Sequence, residues 1–145
     1  MFYVKSNFDV QPQSFPRLAP EIETAIFRII QEALSNVFRH SGATSSWVVL
    51  SQEENRVVAM VRDNGKGLPD ETAELRPDRT GVGLGGMRER ARHVGGNLRV
   101  SNADPGTLVE VVIPVVAQHR KQRTLSQRAD GRQPEASSLS VHPVG

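Results

Sequence analysis

Cysteine is absent from this 145-residue chain, which excludes disulfides and thiolate metal sites and permits a reducing interior. No apolar run approaches the length of a membrane span, and the N-terminus, Met1-Phe2-Tyr3-Val4-Lys5, lacks the pattern of a signal peptide. The default expectation is therefore a soluble cytoplasmic domain without membrane contact. No internal repeat is present. Hydrophobic residues make up only 37 % of the chain, enough for one domain with one modest core and too little for a second. The net charge of +2 conceals an asymmetry. Residues 118–145 hold five of the eighteen Lys and Arg but two of the sixteen Asp and Glu, leaving thirteen against fourteen elsewhere. The alkaline isoelectric point thus belongs to the tail, and the main reason to read the globular part as a nucleic-acid binder disappears. Rich in Ser, Gln and Arg, that tail reads as disordered and solvating, and residues 1–117 as the domain.

What is present is a change of period at Pro20. Pro20 suits a first helical position, Glu21 and Glu23 favour the positive end of the helix dipole, and Ile22, Ala25, Ile26, Ile29, Ile30, Ala33, Leu34 and Val37 recur at helical spacing. Gly42 closes the helix after Arg39 and His40. Residues 1–10 alternate loosely, as an edge strand would. Trp47 to Ser51 and Arg56 to Arg62 predict a hairpin, Met87 to Val94 a short helix capped by Gly95-Gly96, and Leu98 to Ser101 with Leu108 to Val116 two further strands around the turn Ala103-Asp104-Pro105-Gly106. The expected fold is α+β: a two-layer α/β sandwich with a mixed, mainly antiparallel sheet and helices on one face.

Two polar side chains interrupt the first helix. Glu32 lies one heptad above Ala25 and Asn36 one heptad above Ile29, so both sit at the edge of the apolar stripe and neighbour one another as an i, i+4 pair. Spacing leaves two readings open: a wet boundary where the stripe ends, or an amide and a carboxylate on a cavity edge of the kind Mg²⁺ accepts together with phosphate and water. Two glycine segments follow. In Asp63-Asn64-Gly65-Lys66-Gly67 a hairpin turn is the poorer account, because no returning strand follows, only a charged, aperiodic stretch to Thr80. Its glycines would let a flat base approach the backbone, and Asp63 could accept a hydrogen bond from an exocyclic amine. Gly81-Val82-Gly83-Leu84-Gly85-Gly86 opens the short helix, where free N–H groups and the dipole can hold phosphate. It is not the dinucleotide fingerprint, since Arg76 to Thr80 rather than a strand precedes it, and no P-loop pattern exists.

Together these residues resemble the ATP-binding domain of the gyrase, heat-shock chaperone, histidine kinase and mismatch-repair superfamily, the Bergerat fold. Glu32 to His40 looks like its N box, Asp63 to Gly67 its G1 box and Gly81 to Gly86 its G2 box. Gly85-Gly86-Met87-Arg88-Glu89-Arg90-Ala91, followed by Gly95-Gly96, is similar to bacterial sensor histidine kinases whose response regulators carry helix-turn-helix domains. The resemblance implies ATP and Mg²⁺ as ligands, with Asn36 on the metal and Glu32 orienting water or assisting proton transfer. Asp63 would read adenine, with Gly65 and Gly67 along the base; Arg39 or His40 would meet phosphate; Gly81, Gly83, Leu84 and Gly85 would shape the lid; Thr107 would add a contact near adenine. No acceptor histidine is evident, since His40, His93, His119 and His142 lie in no Glu-Leu-His-Asp context. The implied function is the catalytic domain of a sensor histidine kinase, cut from or acting apart from a larger protein. It would be monomeric and would donate phosphate to a histidine on a separate dimerisation domain, with a response regulator downstream. An anti-sigma-factor-type serine kinase and a non-catalytic nucleotide sensor are the alternatives.

Overall fold

The computed structural model describes residues 3–13, 15, 17–69 and 82–115. The first helix, α1 (Pro20–Asn36), begins with Pro20 in its first turn and no side-chain cap at Ala19. The Ile22 N–H reaches the Ala19 carbonyl at 2.9 Å, and Glu23 turns back to accept the Leu18 N–H at 3.2 Å. Ile22, Ala25, Ile26, Ile29 and Ala33 are buried, as their spacing requires. Removing an isoleucine side chain from water in this way contributes about 1.5–3 kcal/mol. Sequence periodicity predicts one continuous helix to Gly42, but after Asn36 the coil widens into a π-helical turn, Val37–Ser41. Ser41 Oγ donates to the Val37 carbonyl at 2.6 Å and accepts the Ala43 N–H at 3.0 Å. A hydroxyl bonding back along the helix competes with the backbone ladder, which favours such a widening. Gly42, at φ 65°, ends it.

Among the described residues five strands form one sheet in the order β1-β2-β3-β5-β4. They are β1 (Lys5–Gln11), β2 (Ser45–Glu53), β3 (Arg56–Asp63), β4 (Asn97–Asn102) and β5 (Thr107–Pro114). The predicted edge strand is β1, and it pairs parallel with β2; every other pairing is antiparallel, in agreement with the expected mixed sheet. β2 and β3 form the expected hairpin around Glu54-Asn55, closed by an exposed Arg56–Glu53 ion pair. The second helix, α2 (Val82–His93), includes Gly83, Gly85 and Gly86 in its own first turns, so the glycine segment is helix rather than a loop leading to one. Gly95, at φ 77°, follows its end, and the Gly96 N–H bonds the Ala91 carbonyl at 2.8 Å. No helix among the described residues is long and apolar enough to cross a membrane.

Both helices cover one face of the sheet. Their apolar sides, Ile22, Ile26 and Ile29 from α1 with Met87 and Ala91 from α2, meet Val57, Ala59, Val61, Leu98, Val109, Val111 and Ile113 in one core. The register brings the end of β3 at Asp63, the start of β5 at Thr107, the end of β4 at Asn102 and the start of β2 at Ser45 to the same end of the sheet. The C-terminal end of α1 and the start of α2 lie there too, because both line the cavity formed at that end. Gly81, the stretch from Asp70 to Thr80 and the tail from Gln118 onward fall outside the described residues.

Candidate functional site

A cavity of about 560 Å³ opens at this end of the sheet, between α1, its π-helical turn, the loop after β3 and the first turn of α2. Glu32 and Asn36 reach its wall from α1, and Arg39 and His40 stand exposed around it on the π-helical turn. The two open readings of the polar pair are thereby narrowed: the stripe ends where a cavity begins. Opposite, Asp63 is only 3 % exposed at the end of β3. Its Oδ1 accepts the Gly65 N–H at 2.7 Å, which holds the carboxylate in one orientation. Val61, Val100 and Val109 supply an apolar floor around it, and Thr107 lines the same wall. An apolar slot with one buried acceptor suits a flat, amine-bearing ring, while the exposed cations Arg39 and Lys66 suit anionic groups nearer the mouth.

The loop that carries Asp63 is held at several points. Asn64 Oδ1 accepts the N–H groups of Thr44 and Ser45, each at 3.0 Å, and its Nδ2 donates to Thr44 Oγ1 at 3.0 Å. The Lys66 N–H bonds the Ser41 carbonyl at 2.9 Å. These bonds pull the chain toward the π-helical turn and away from any returning strand, in accord with rejecting a hairpin here. Gly67, at φ 76°, lines the cavity. Gly65 is not among the cavity-lining residues; it packs on the Ser41 backbone so closely that an added Cβ would overlap the Ser41 carbonyl.

Among the α2 glycines the structure also divides the expectations. Gly83 and Leu84 line the cavity. Gly85 does not; it is exposed and a Cβ there would meet nothing within 4 Å. Gly83 backs onto the carboxylate of Glu32, so that a Cβ would run into Glu32 Oε1. That contact brings a negative group to the positive end of α2. His93 lies elsewhere, exposed near the end of α2, consistent with a surface residue. It borders a groove of about 610 Å³ between α1 and α2 that also includes Thr24 and Arg28 and none of the expected site residues.

Several contributors carry no motif. Ser41, Leu68, Pro69 and the valine floor line the cavity, as does Lys66 within the first glycine segment, and Gly106, at φ 96°, presses against Asp63 so tightly that any Cβ would collide with the Asp63 carbonyl. Among the described residues no cluster of three or more His, Asp or Glu could cage a metal by itself.

The family described as histidine kinase-, DNA gyrase B-, and HSP90-like ATPase matches residues 21–117. The sensor histidine kinase LiaS of Bacillus subtilis is 38 % identical over 115 residues, covering 79 % of this chain and 30 % of that protein. The chain therefore spans under a third of that relative's length. Among solved structures, the histidine kinase domain of the blue-light activated kinase EL346 of Erythrobacter litoralis superposes with a TM-score of 0.62 at 25 % identity, covering 89 % of this chain and 57 % of that one. The nucleotide-free catalytic domain of the histidine kinase ThkA gives a TM-score of 0.65 at 20 % identity over 77 % of this chain and 78 % of that domain, a likeness of fold.

Proposed function

This chain belongs to the histidine kinase-, DNA gyrase B-, and HSP90-like ATPase family, an ATP-binding domain, and from that premise we propose that it binds Mg·ATP and donates the γ-phosphate to a histidine on a separate dimerisation domain. The observation that supports this best is convergence. Glu32 and Asn36, Asp63 and Gly67, and Gly83 and Leu84 come from three distant segments and line one cavity. The functional unit is residues 1–117, acting as the catalytic part of a sensor histidine kinase in the cytoplasm, with a response regulator as the downstream recipient.

In this reading adenine enters the slot floored by Val61, Val100 and Val109. With Oδ1 of Asp63 held by Gly65, the second carboxylate oxygen accepts the exocyclic amine. The triphosphate extends toward Asn36, Arg39, His40 and the first-turn N–H groups of α2, where backbone donors and cations offset its charge. Mg²⁺ fits the donor set: Asn36 offers a neutral amide oxygen at the cavity wall, the kind of single protein ligand that a cation otherwise held by phosphate and water accepts. Such an ion supplies charge neutralisation on the phosphate oxygens. An imidazole nitrogen of the acceptor forms the new P–N bond as the bridging P–O bond to ADP breaks, and ADP leaves with the electron pair. Glu32, the carboxylate on the α1 wall of the cavity, would take up the proton that the acceptor sheds. The rest of the catalysis is positioning and charge neutralisation.

Incubating the chain with γ-labelled ATP and a cognate dimerisation domain tests this. Label should appear on the acceptor in an acid-labile, base-stable linkage, as expected of phosphohistidine. An acid-stable product would mark a hydroxyl acceptor instead, and ATP binding without any transfer would mark a nucleotide sensor.

A further inference from the structure

Asn102 ends β4, directly before the turn Ala103-Asp104-Pro105-Gly106, and its register partner across the hairpin is Thr107. Nothing local in the sequence distinguishes it from any polar residue at a strand end. In the structure its side chain leaves the hairpin and meets the loop after β3. Asn102 Oδ1 accepts the Leu68 N–H at 2.7 Å. The same oxygen would stand 2.7 Å from a Cβ on Gly67, and the Gly106 carbonyl 3.1 Å from it, so the Gly67 backbone lies flat on the hairpin turn. Gly67, Leu68, Pro69 and Thr107 all line the cavity, whereas Asn102 does not.

We infer that Asn102 is a positioning residue for base recognition, its side-chain oxygen clasping the cavity-lining loop to the β4–β5 hairpin. This rests on the ATP-binding reading given above. The loop is held at its beginning by Asn64 and by the Lys66 N–H on Ser41. At its far end the bond from Leu68 to Asn102 ties it to the strand that carries Thr107. Without that oxygen the Gly67–Leu68 backbone can lift from the hairpin, widening the slot at the wall that carries Thr107. The effect should therefore fall on the base and not on the metal-dependent part of binding.

Calorimetric titration of the chain with adenosine, and with ADP in the presence and absence of Mg²⁺, separates these contributions. Asn102→Ala should weaken adenosine and ADP by the same factor, about threefold to tenfold, the worth of one hydrogen bond. The ratio of ADP affinities with and without Mg²⁺ should not change, and the melting temperature without ligand should fall by no more than about 8 °C, the folding cost of that one bond. Asn102→Asp should restore adenosine binding to within about twofold, because a carboxylate oxygen accepts the same N–H. Adenosine, being uncharged, keeps the added charge from confusing the comparison. Wild-type affinity in Asn102→Ala would overturn the inference, as would an Asn102→Asp chain as weak as the alanine variant, or a lowered melting temperature with unchanged affinity. If the wild-type chain binds neither adenosine nor ADP, the functional reading fails and this inference with it; if wild type binds and Asn102→Ala binds equally well, this inference alone fails.

Discussion

Replacing Asp63 by Asn separates structural from recognition roles at one buried position. Asp63 is 3 % exposed and its Oδ1 takes the Gly65 N–H at 2.7 Å. An asparagine of the same shape keeps that acceptor, so the unliganded domain should lose no more than about 1 kcal/mol and its melting point should shift by less than about 8 °C. Ligand binding should respond very differently. The second oxygen becomes an NH₂ group, a donor facing the donor amine of adenine. Losing a hydrogen bond to a charged acceptor costs about 1.5–3 kcal/mol, and leaving a buried donor unsatisfied costs about 1–3 more. A total near 3–5 kcal/mol corresponds to roughly two to four powers of ten in ATP affinity. Guanine presents a carbonyl where adenine presents an amine, so the same substitution should narrow the preference for ATP over GTP. Isothermal titration with ATP and GTP, beside a thermal melt, reads all three quantities. ATP affinity within threefold of wild type would refute the assignment of Asp63 to the base. A collapse of the melting point would refute the claim that Oδ1 alone carries its structural role.

Three further substitutions probe other parts of the cavity. Asn36→Ala should remove most of the Mg²⁺ dependence of ATP binding while leaving adenosine binding within about twofold, since it deletes one amide oxygen on α1 and leaves Asp63 and the valine floor in place; an unchanged ratio of affinities with and without Mg²⁺ would count against Asn36 as a metal ligand. Gly106→Ala combines a φ of 96° with a Cβ driven into the Asp63 backbone. Neither can relax through a flexible side chain, so a loss of about 3 kcal/mol or more in denaturant unfolding is expected. Gly83→Ala should divide its effects: the Cβ meets only the movable end of Glu32, so helix propensity can raise stability by up to about 1 kcal/mol, whereas phosphoryl transfer should fall because Glu32 is displaced. Equal transfer rates for the two chains would argue against a catalytic part for that carboxylate.

Local periodicity and chemistry in the sequence determined the elements: α1 from its apolar spacing, though not its change to a π-helical turn before Gly42, the β2–β3 hairpin from two β-rich runs, α2 from its last turns and Gly95. They also marked Glu32 and Asn36 as misplaced in an apolar stripe, and Asp63 with its glycines as more than a turn. Those signals act within a few residues, so they survive in one dimension. Tertiary structure alone decided what each glycine is for. Gly67 and Gly106 take positive φ, Gly65 and Gly83 yield space to Ser41 and Glu32, and Gly85 meets nothing. A glycine in sequence states only that a Cβ is missing; which neighbour needs the space depends on segments tens of residues away. Asn102 escaped notice for the same reason: a hydrogen bond across 34 residues, from Leu68 to Asn102, leaves no trace in the spacing around either partner.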